Sequence, residues 1–354
     1  MKKRLLPLVL LFFICLSGWA QIGKNERFAN LFASGAFQQL KIEGQREIAN
    51  SPKNHIAHHY LGLAFFETGE FKLAVDHLKI ACELKPDAQE YYYLALAFGG
   101  YAETVNSLKQ PFIINDMISA LKKSVDIDPN HVEAKFLLSK FYATAPSFFG
   151  GDLVMARKYA TELASANNGY SNLIEAYIFL KEENTPKAED RLVKALAINP
   201  ALEDAYDKLN SIHEENKVPS YLYHLTDQHP SSPYPFYHLA LAQAEHHQYK
   251  EARANFLKSI SNDPEFLPAY YQAGKLSIVT RSGYEEGISF LEKYLSKPVK
   301  DHSNLPSHAD AHWRIGIIYE ELKAKNKAID HYKSAISLDP DHEAAKAALR
   351  KLND

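Results

Sequence analysis

Apolar positions along this chain fall at intervals of three and four, and the intervals reset about every 34 residues. Between His55 and Pro86 the large residues are Leu61, Phe65 and Leu78, the small ones Gly62, Ala74 and Ala81, and Pro86 closes the run. Spacings of three and four keep side chains on one face of a helix. Proline cannot supply the amide hydrogen that the next turn needs, so it stops the helix before it. The stretch therefore predicts two helices joined by a short turn, with the small residues letting one lie close against the other. The same frame returns at Ile315, Gly316, Tyr319, Ala328, Tyr332, Ala335 and Pro340.

The closing prolines measure the repeat. Pro52 to Pro86 and Pro230 to Pro264 are each 34 residues, and Pro200 to Pro230 is 30. The longer gaps are multiples with small insertions: Pro86 to Pro129 is 43, Pro129 to Pro200 is 71 and Pro264 to Pro340 is 76. This predicts about nine units: a degenerate first one at 21–54, then 55–87, 88–131 with an insertion around Gly99 to Pro111, 132–168 with an expanded turn, 169–202, 203–232, 233–266, 267–300 and 309–342. The segment 343–354, with Ala344, Ala345, Ala348, Leu349 and Leu352, reads as a capping helix. The loop from Val299 to Pro306 is the expected hinge or proteolytic site. The short unit near Asp204 to Pro230 marks an expected break in curvature. One hairpin alone would leave an apolar face in water, and stacking covers it.

These residues resemble the tetratricopeptide repeat. The resemblance implies an all-α fold, a right-handed superhelical solenoid in which helix A of each unit lines a concave groove with positions 2, 5, 9, 12 and 13. Position 5 reads His59, Tyr92, Phe136, Leu173, Asp207, Tyr237, Tyr271 and Trp313, an aromatic series in a chain that is 12% aromatic. Aromatic rings offer large contact area at low entropy cost. Positions 12 and 13 lean acidic through Glu67, Glu214, Glu215, Glu245, Glu320 and Glu321, interrupted by Lys140 and Lys275 at position 9. The Lys and Asn set with which relatives clamp a C-terminal carboxylate is missing. The expected partner is thus a protein or peptide segment of basic and aromatic character, and His59, Tyr92, Phe136, Tyr237, Tyr271, Trp313, Glu67, Glu245 and Glu321 are the expected contact residues. The alternative for position 5 is simple packing between hairpins.

The expanded turn of the fourth unit, Ala145 to Asp152, contains Phe148, Phe149, Gly150 and Gly151. Pro146 is placed to end one helix, both glycines are able to take positive backbone angles, and Asp152 is placed to cap the next helix at Leu153. The phrase resembles an Ala-Pro-x-x-x-Gly-Gly loop of exported bacterial proteins of this repeat class. It is either a shaped turn or a ligand-facing loop. The second reading makes the protein a small-ligand-binding component of an envelope transport system.

The first 20 residues combine Lys2, Lys3 and Arg4 with an apolar run from Leu5 to Leu16 and the small residues Ser17, Gly18 and Ala20. That order predicts a signal peptide, and the apolar run falls short of the roughly 20 residues of a membrane span. The expected location is the periplasm or cell envelope, with no membrane span after cleavage. Cys15 lacks the small preceding residue of a lipid-attachment motif. Cleavage would remove three of the 40 basic residues and none of the 43 acidic ones, for a net charge of about −6. No basic stripe remains to track phosphates, which excludes nucleic acid. Cys82 would be left as a buried small hydrophobe, without a disulfide partner.

Sixteen histidines raise the question of metal. His55, His58 and His59, and His308 with His312, have helical ligand spacing, yet nothing in the sequence completes a set of three or four ligands. His246 and His247 stand where a cation meets the negative end of a helix. No nucleophile elbow, phosphate loop or Cys–His pair is present, and the repeats leave no room for a catalytic domain. The expectation is a non-enzymatic scaffold with no cofactor and no metal; the sequence does not specify an oligomeric state.

Overall fold

The computed structural model describes residues 26–212, 217–297 and 305–353. The expected signal peptide at 1–20, Cys15, the groove positions Glu214 and Glu215, and Val299 to Asn304 of the expected hinge lie outside the described residues. All regular structure among the described residues is helical.

The helices pair in chain order: α1 (26–33) with α2 (Phe37–Asn50), α3 (His55–Glu67) with α4 (Phe71–Leu84), α5 (Ala88–Thr104) with α6 (Gln110–Ile127), and α7 (Val132–Thr144) with α8 (Leu153–Ala166). They continue as α9 (Asn168–Lys181) with α10 (Thr185–Ile198), α11 (Glu203–Ile212) with α12 (Ser220–Gln228), and α13 (Pro233–Glu245) with α14 (Tyr249–Asn262). The last pairs are α15 (Leu267–Thr280) with α16 (Tyr284–Leu295) and α17 (His308–Glu321) with α18 (Lys325–Leu338), followed by α19 (Glu343–Asn353). Nine hairpins and a final helix are thus seen among the described residues. The chain divides into two compact units, Met1–Tyr159 and Ala160–Asp354.

Local chemistry sets the helix ends. Each closing proline, from Pro52 to Pro340, lies two residues past the end of its helix. Side chains cap the following starts: Asn54 accepts from the Ala57 amide, Asn167 from Tyr170, and Ser307 forms a reciprocal pair with Asp310. Such caps satisfy amides that have no partner within the helix, at about 1 kcal/mol each.

Within a hairpin the small residue of helix A meets a large one of helix B. A Cβ on Gly62 would lie 2.5 Å from Leu78 Cγ, and one on Gly316 would lie 2.4 Å from Tyr332 Cε1, so only glycine permits those approaches. Where serine replaces a small apolar residue, its hydroxyl is bonded. Ser124 donates to the Ala88 carbonyl at 2.7 Å and Ser259 to that of Pro233 at 2.9 Å. A buried hydroxyl without such a partner would be costly.

In the first unit one core gathers Phe28, Leu40, Ala57 and Ala64. In the second, a core of Tyr270, Tyr271, Leu291, Tyr294, Ile315 and Ile318 joins the last two hairpins. The inserted residues of the third hairpin lengthen both its helices, so Gly99 and Gly100 are helical and the turn covers only 105–109. The short repeat at 203–232 is short in its second helix, which has nine residues against 14 in each helix of the preceding hairpin.

Candidate functional site

The expanded turn of the fourth hairpin is rigidly built. After α7 the chain makes a single 3-10 turn at Ser147–Phe149, and Gly150 then adopts φ +95°, a conformation open to glycine. Gly151, which could take the same conformation, does not share it. Its role is proximity: a Cβ there would stand 2.0 Å from the Ala145 carbonyl oxygen. The Gly151 amide donates to Pro146 O at 3.0 Å and the Asp152 amide to Tyr142 O at 2.9 Å. The Asp152 carboxylate accepts from the amides of Val154 and Met155 at 2.9 and 3.1 Å, capping α8. This backbone carries the two aromatic rings outward. Phe148 is 81% exposed and Phe149 52%, with centroids 4.4 Å apart. They border a 510 Å³ cleft walled by Pro111, Ile114, Met117 and Phe141.

The position-5 aromatics behave differently. Tyr271 is only 3% exposed: it packs against Tyr294 at 5.2 Å and accepts a hydrogen bond from Arg314 Nε at 2.6 Å. It belongs to the core, which corrects its assignment as a contact residue, because the following hairpin covers it. Tyr237 is half-buried beside Phe266, and burial pushes its phenol up to about 12. Trp313 is half-buried between the Arg314 guanidinium and the His342 ring. In the first unit, half-buried His59 bonds Glu90 and half-buried Tyr92 faces the His131 ring at 5.1 Å; Phe136 is also half-buried. Leu173 is buried and Asp207 exposed.

Space remains on the helix-A face of the second unit. A cleft of 320 Å³ lies between α13 and α15, lined by Leu241, Ala244, Glu245, Gln272, Lys275 and Val279. Glu245 is exposed, and among the described residues neither it nor Lys275 makes an ion pair or side-chain hydrogen bond. The other acidic positions are more engaged. Glu320 accepts from Lys351 at 2.8 Å and from the Tyr332 hydroxyl at 3.0 Å, both of which hold its carboxyl below the usual range. Exposed Glu321 stands 3.5 Å from the Tyr284 hydroxyl, and Glu67 is half-buried.

The tetratricopeptide-repeat family model matches residues 309–342, the hairpin of α17 and α18. Its residue frame and its glycine-to-helix approach are those of the hairpin of α3 and α4 as well. Residues 309–342 are a tetratricopeptide repeat. Repeats of this family serve as surfaces for protein–protein interaction and are generally not catalytic. Similar solved structures include a chain of the APC/C hetero-tetramer Cut9–Hcn1, 15% identical with a TM-score of 0.43, covering 87% of this chain and 58% of that one. This chain thus spans little more than half the length of that structure. A thermophilic tetratricopeptide-repeat protein of Thermus thermophilus is 16% identical, with a TM-score of 0.40 over 52% of this chain and 94% of that one. A tetratricopeptide repeat protein from Parabacteroides merdae is 14% identical, with a TM-score of 0.38 over 93% and 97%. No protein of curated function matches the chain.

Two features of these two hairpins escaped the sequence reading. His58 and His77 bring their Nδ1 atoms to 3.1 Å across the α3–α4 hairpin, and His312 and His331 do the same, also at 3.1 Å, across α17–α18. The signal was present as a recurring spacing of 19 residues at equivalent repeat positions. His58 Nε2 donates to Pro52 O, so its Nδ1 accepts the bond from His77. Burial lowers the pKa of His77, His312 and His331, and the facing imidazole adds to the effect at His77 and His312. Because His58 turns to His77 while His55 and His59 turn to Glu90, the three histidines of α3 do not converge. His308 instead bonds the Lys297 carbonyl. Among the described residues no group of three His, Cys, Asp or Glu is arranged to hold a metal, and no helix is long and apolar enough to cross a membrane. Cys82 is buried, which pushes its thiol up to about 12 and leaves it unreactive.

Proposed function

We propose that the protein is a non-enzymatic, exported scaffold that holds a polypeptide partner along helix-A faces of its repeats, with the cleft between α13 and α15 as its docking point. The observation that carries this reading is the pair of unengaged opposite charges, Glu245 and Lys275, at one partly apolar cleft. An apolar side chain of the partner would sit against Leu241 and Val279, flanked by a basic group for Glu245 and an acidic one for Lys275. Charges at such a rim contribute little net affinity but fix register and exclude like-charged sequences. Half-buried Tyr237 and Trp313 add apolar area with a polar edge. Export rests on the basic, apolar and small-residue order of Met1–Ala20, and places the scaffold in the periplasm or envelope.

The test is crosslinking capture from the native envelope, comparing the wild-type chain with Glu245→Lys and Lys275→Glu. The expected outcome is at least a fivefold loss of the same captured polypeptide in each variant. Equal capture by all three chains would remove this cleft from the reading. A chain recovered from the envelope with Met1–Ala20 still attached would remove cleavage after Ala20.

A further inference from the structure

The fourth-repeat turn holds an apolar cleft larger than the one between α13 and α15. Its 510 Å³ is walled by Pro111, Ile114, Met117, Phe141, Phe148 and Phe149, and its only polar side chains are the neutral amides of Gln110 and Asn115. We propose that this cleft binds one linear aliphatic chain, the acyl tail of a small amphiphile, with the head group left in water.

Three observations select that occupant. The wall from Gln110 to Met117 follows α6 over eight residues, about 10 Å at 1.5 Å per residue, so an alkyl chain can lie along it. At roughly 30 Å³ per methylene, close to the volume of a water molecule, 510 Å³ has room for a chain of a dozen or more carbons. The lining carries no charged side chain, so nothing in it would recognise a head group. A peptide is a poorer fit because its main chain needs donors and acceptors. Two of the turn's carbonyls are already engaged: Pro146 O accepts from the Phe149 and Gly151 amides, and Ser147 O from Gly150.

The turn is also held in shape before any ligand arrives. Gly150, Gly151 and the Asp152 cap fix it, so little ordering cost falls on binding. Leu108, 82% exposed, and Phe112, 70% exposed, stand close in sequence to Gln110 and Pro111.

The test is isothermal titration of the full chain with octanoate, decanoate and dodecanoate below their micellar concentrations. A buried methylene is worth up to about fourfold in affinity, so binding is expected to tighten two- to fourfold per added methylene. Phe148→Ser, at a position exposed enough to leave the fold intact by circular dichroism, and Ile114→Asn are each expected to weaken dodecanoate at least fivefold. Val279→Ser, in the α13–α15 cleft, is expected to leave it unchanged, which separates this site from the proposed polypeptide groove. The proposal is overturned by absent saturable binding, by affinity independent of chain length, by indifference to both Phe148→Ser and Ile114→Asn, or by tighter binding of acetyl-Leu-Phe-Leu-amide than of dodecanoate.

Discussion

One aromatic ring that keeps the repeat period and one that breaks it meet opposite fates. Tyr271, at position 5 of its repeat, is 3% exposed, with Tyr294 and Arg314 against it. Phe148, in a turn with no counterpart in the other repeats, is 81% exposed. The difference is geometric. A ring at an in-frame position faces the next hairpin, which carries its own apolar face to the same place. A ring in an extra turn segment has no neighbour assigned to it by the period. An aromatic series along a repeat array therefore reports packing first, while an aromatic pair that interrupts the period is the stronger sign of a surface kept open.

The largest expected effect tests that contrast directly. Tyr271→Ala removes a buried ring and leaves Arg314 without its hydrogen-bond acceptor, so it is expected to destabilise by about 3–5 kcal/mol in urea unfolding. Phe148→Ala is expected to change stability by less than about 0.5 kcal/mol, as for a surface residue without partners in the core. Similar losses for the two variants would collapse the distinction between in-frame and off-frame rings.

Much of the fold was legible because it is written in a period. Leu61, Gly62, Leu78 and Ala81 stand in a local pattern that only a close-packed hairpin satisfies, and the prolines mark each end. The Asp152 cap was legible for the same reason, since it depends on residues two and three places away. Exposure of a position-5 ring was not, because it depends on the hairpin that follows. The frame gives Tyr237, Tyr271 and Trp313 one position, yet their neighbours Phe266, Tyr294 and His342 differ. The cleft beside Phe148 was likewise out of reach: it forms where the lengthened α6 meets a turn from another repeat.

The histidine pairs sharpen the contrast on the in-frame side, where a polar contact takes the place of an apolar one. His77, His312 and His331 are held below their ordinary pKa of 6.5, mainly by burial; Asp76 and Asp330 act the other way on His77 and His331, and His308 adds to the lowering at His312. A histidine with a lowered folded pKa binds fewer protons when folded than when unfolded. Its contribution is intact above pH 6.5 and is lost as pH falls from there through the folded value. The melting temperature is therefore expected to drop between pH 7.5 and 5, and the drop to shrink in a His77→Gln, His331→Gln double variant. An equally steep fall in that variant would place the acid sensitivity elsewhere.

The smallest effect lies in the turns. Regular turns place one residue in the left-handed region: Gly69 does so at φ +75°, whereas the equivalent Glu183, His247 and Lys323 do so at 58° to 59°. Side chains pay for that conformation with a Cβ clash of about 1 kcal/mol or more that glycine lacks. Lys323 is exposed and has no side-chain partner among the described residues, so Lys323→Gly exchanges nothing but backbone strain against chain entropy. It is expected to stabilise by up to about 1 kcal/mol by thermal unfolding, while Gly150→Ala, in the expanded turn at φ +95°, is expected to destabilise by at least as much. Regular and expanded turns then differ in one testable respect: the first tolerates a side chain at its left-handed residue and gains from losing it, and the second is built around having none.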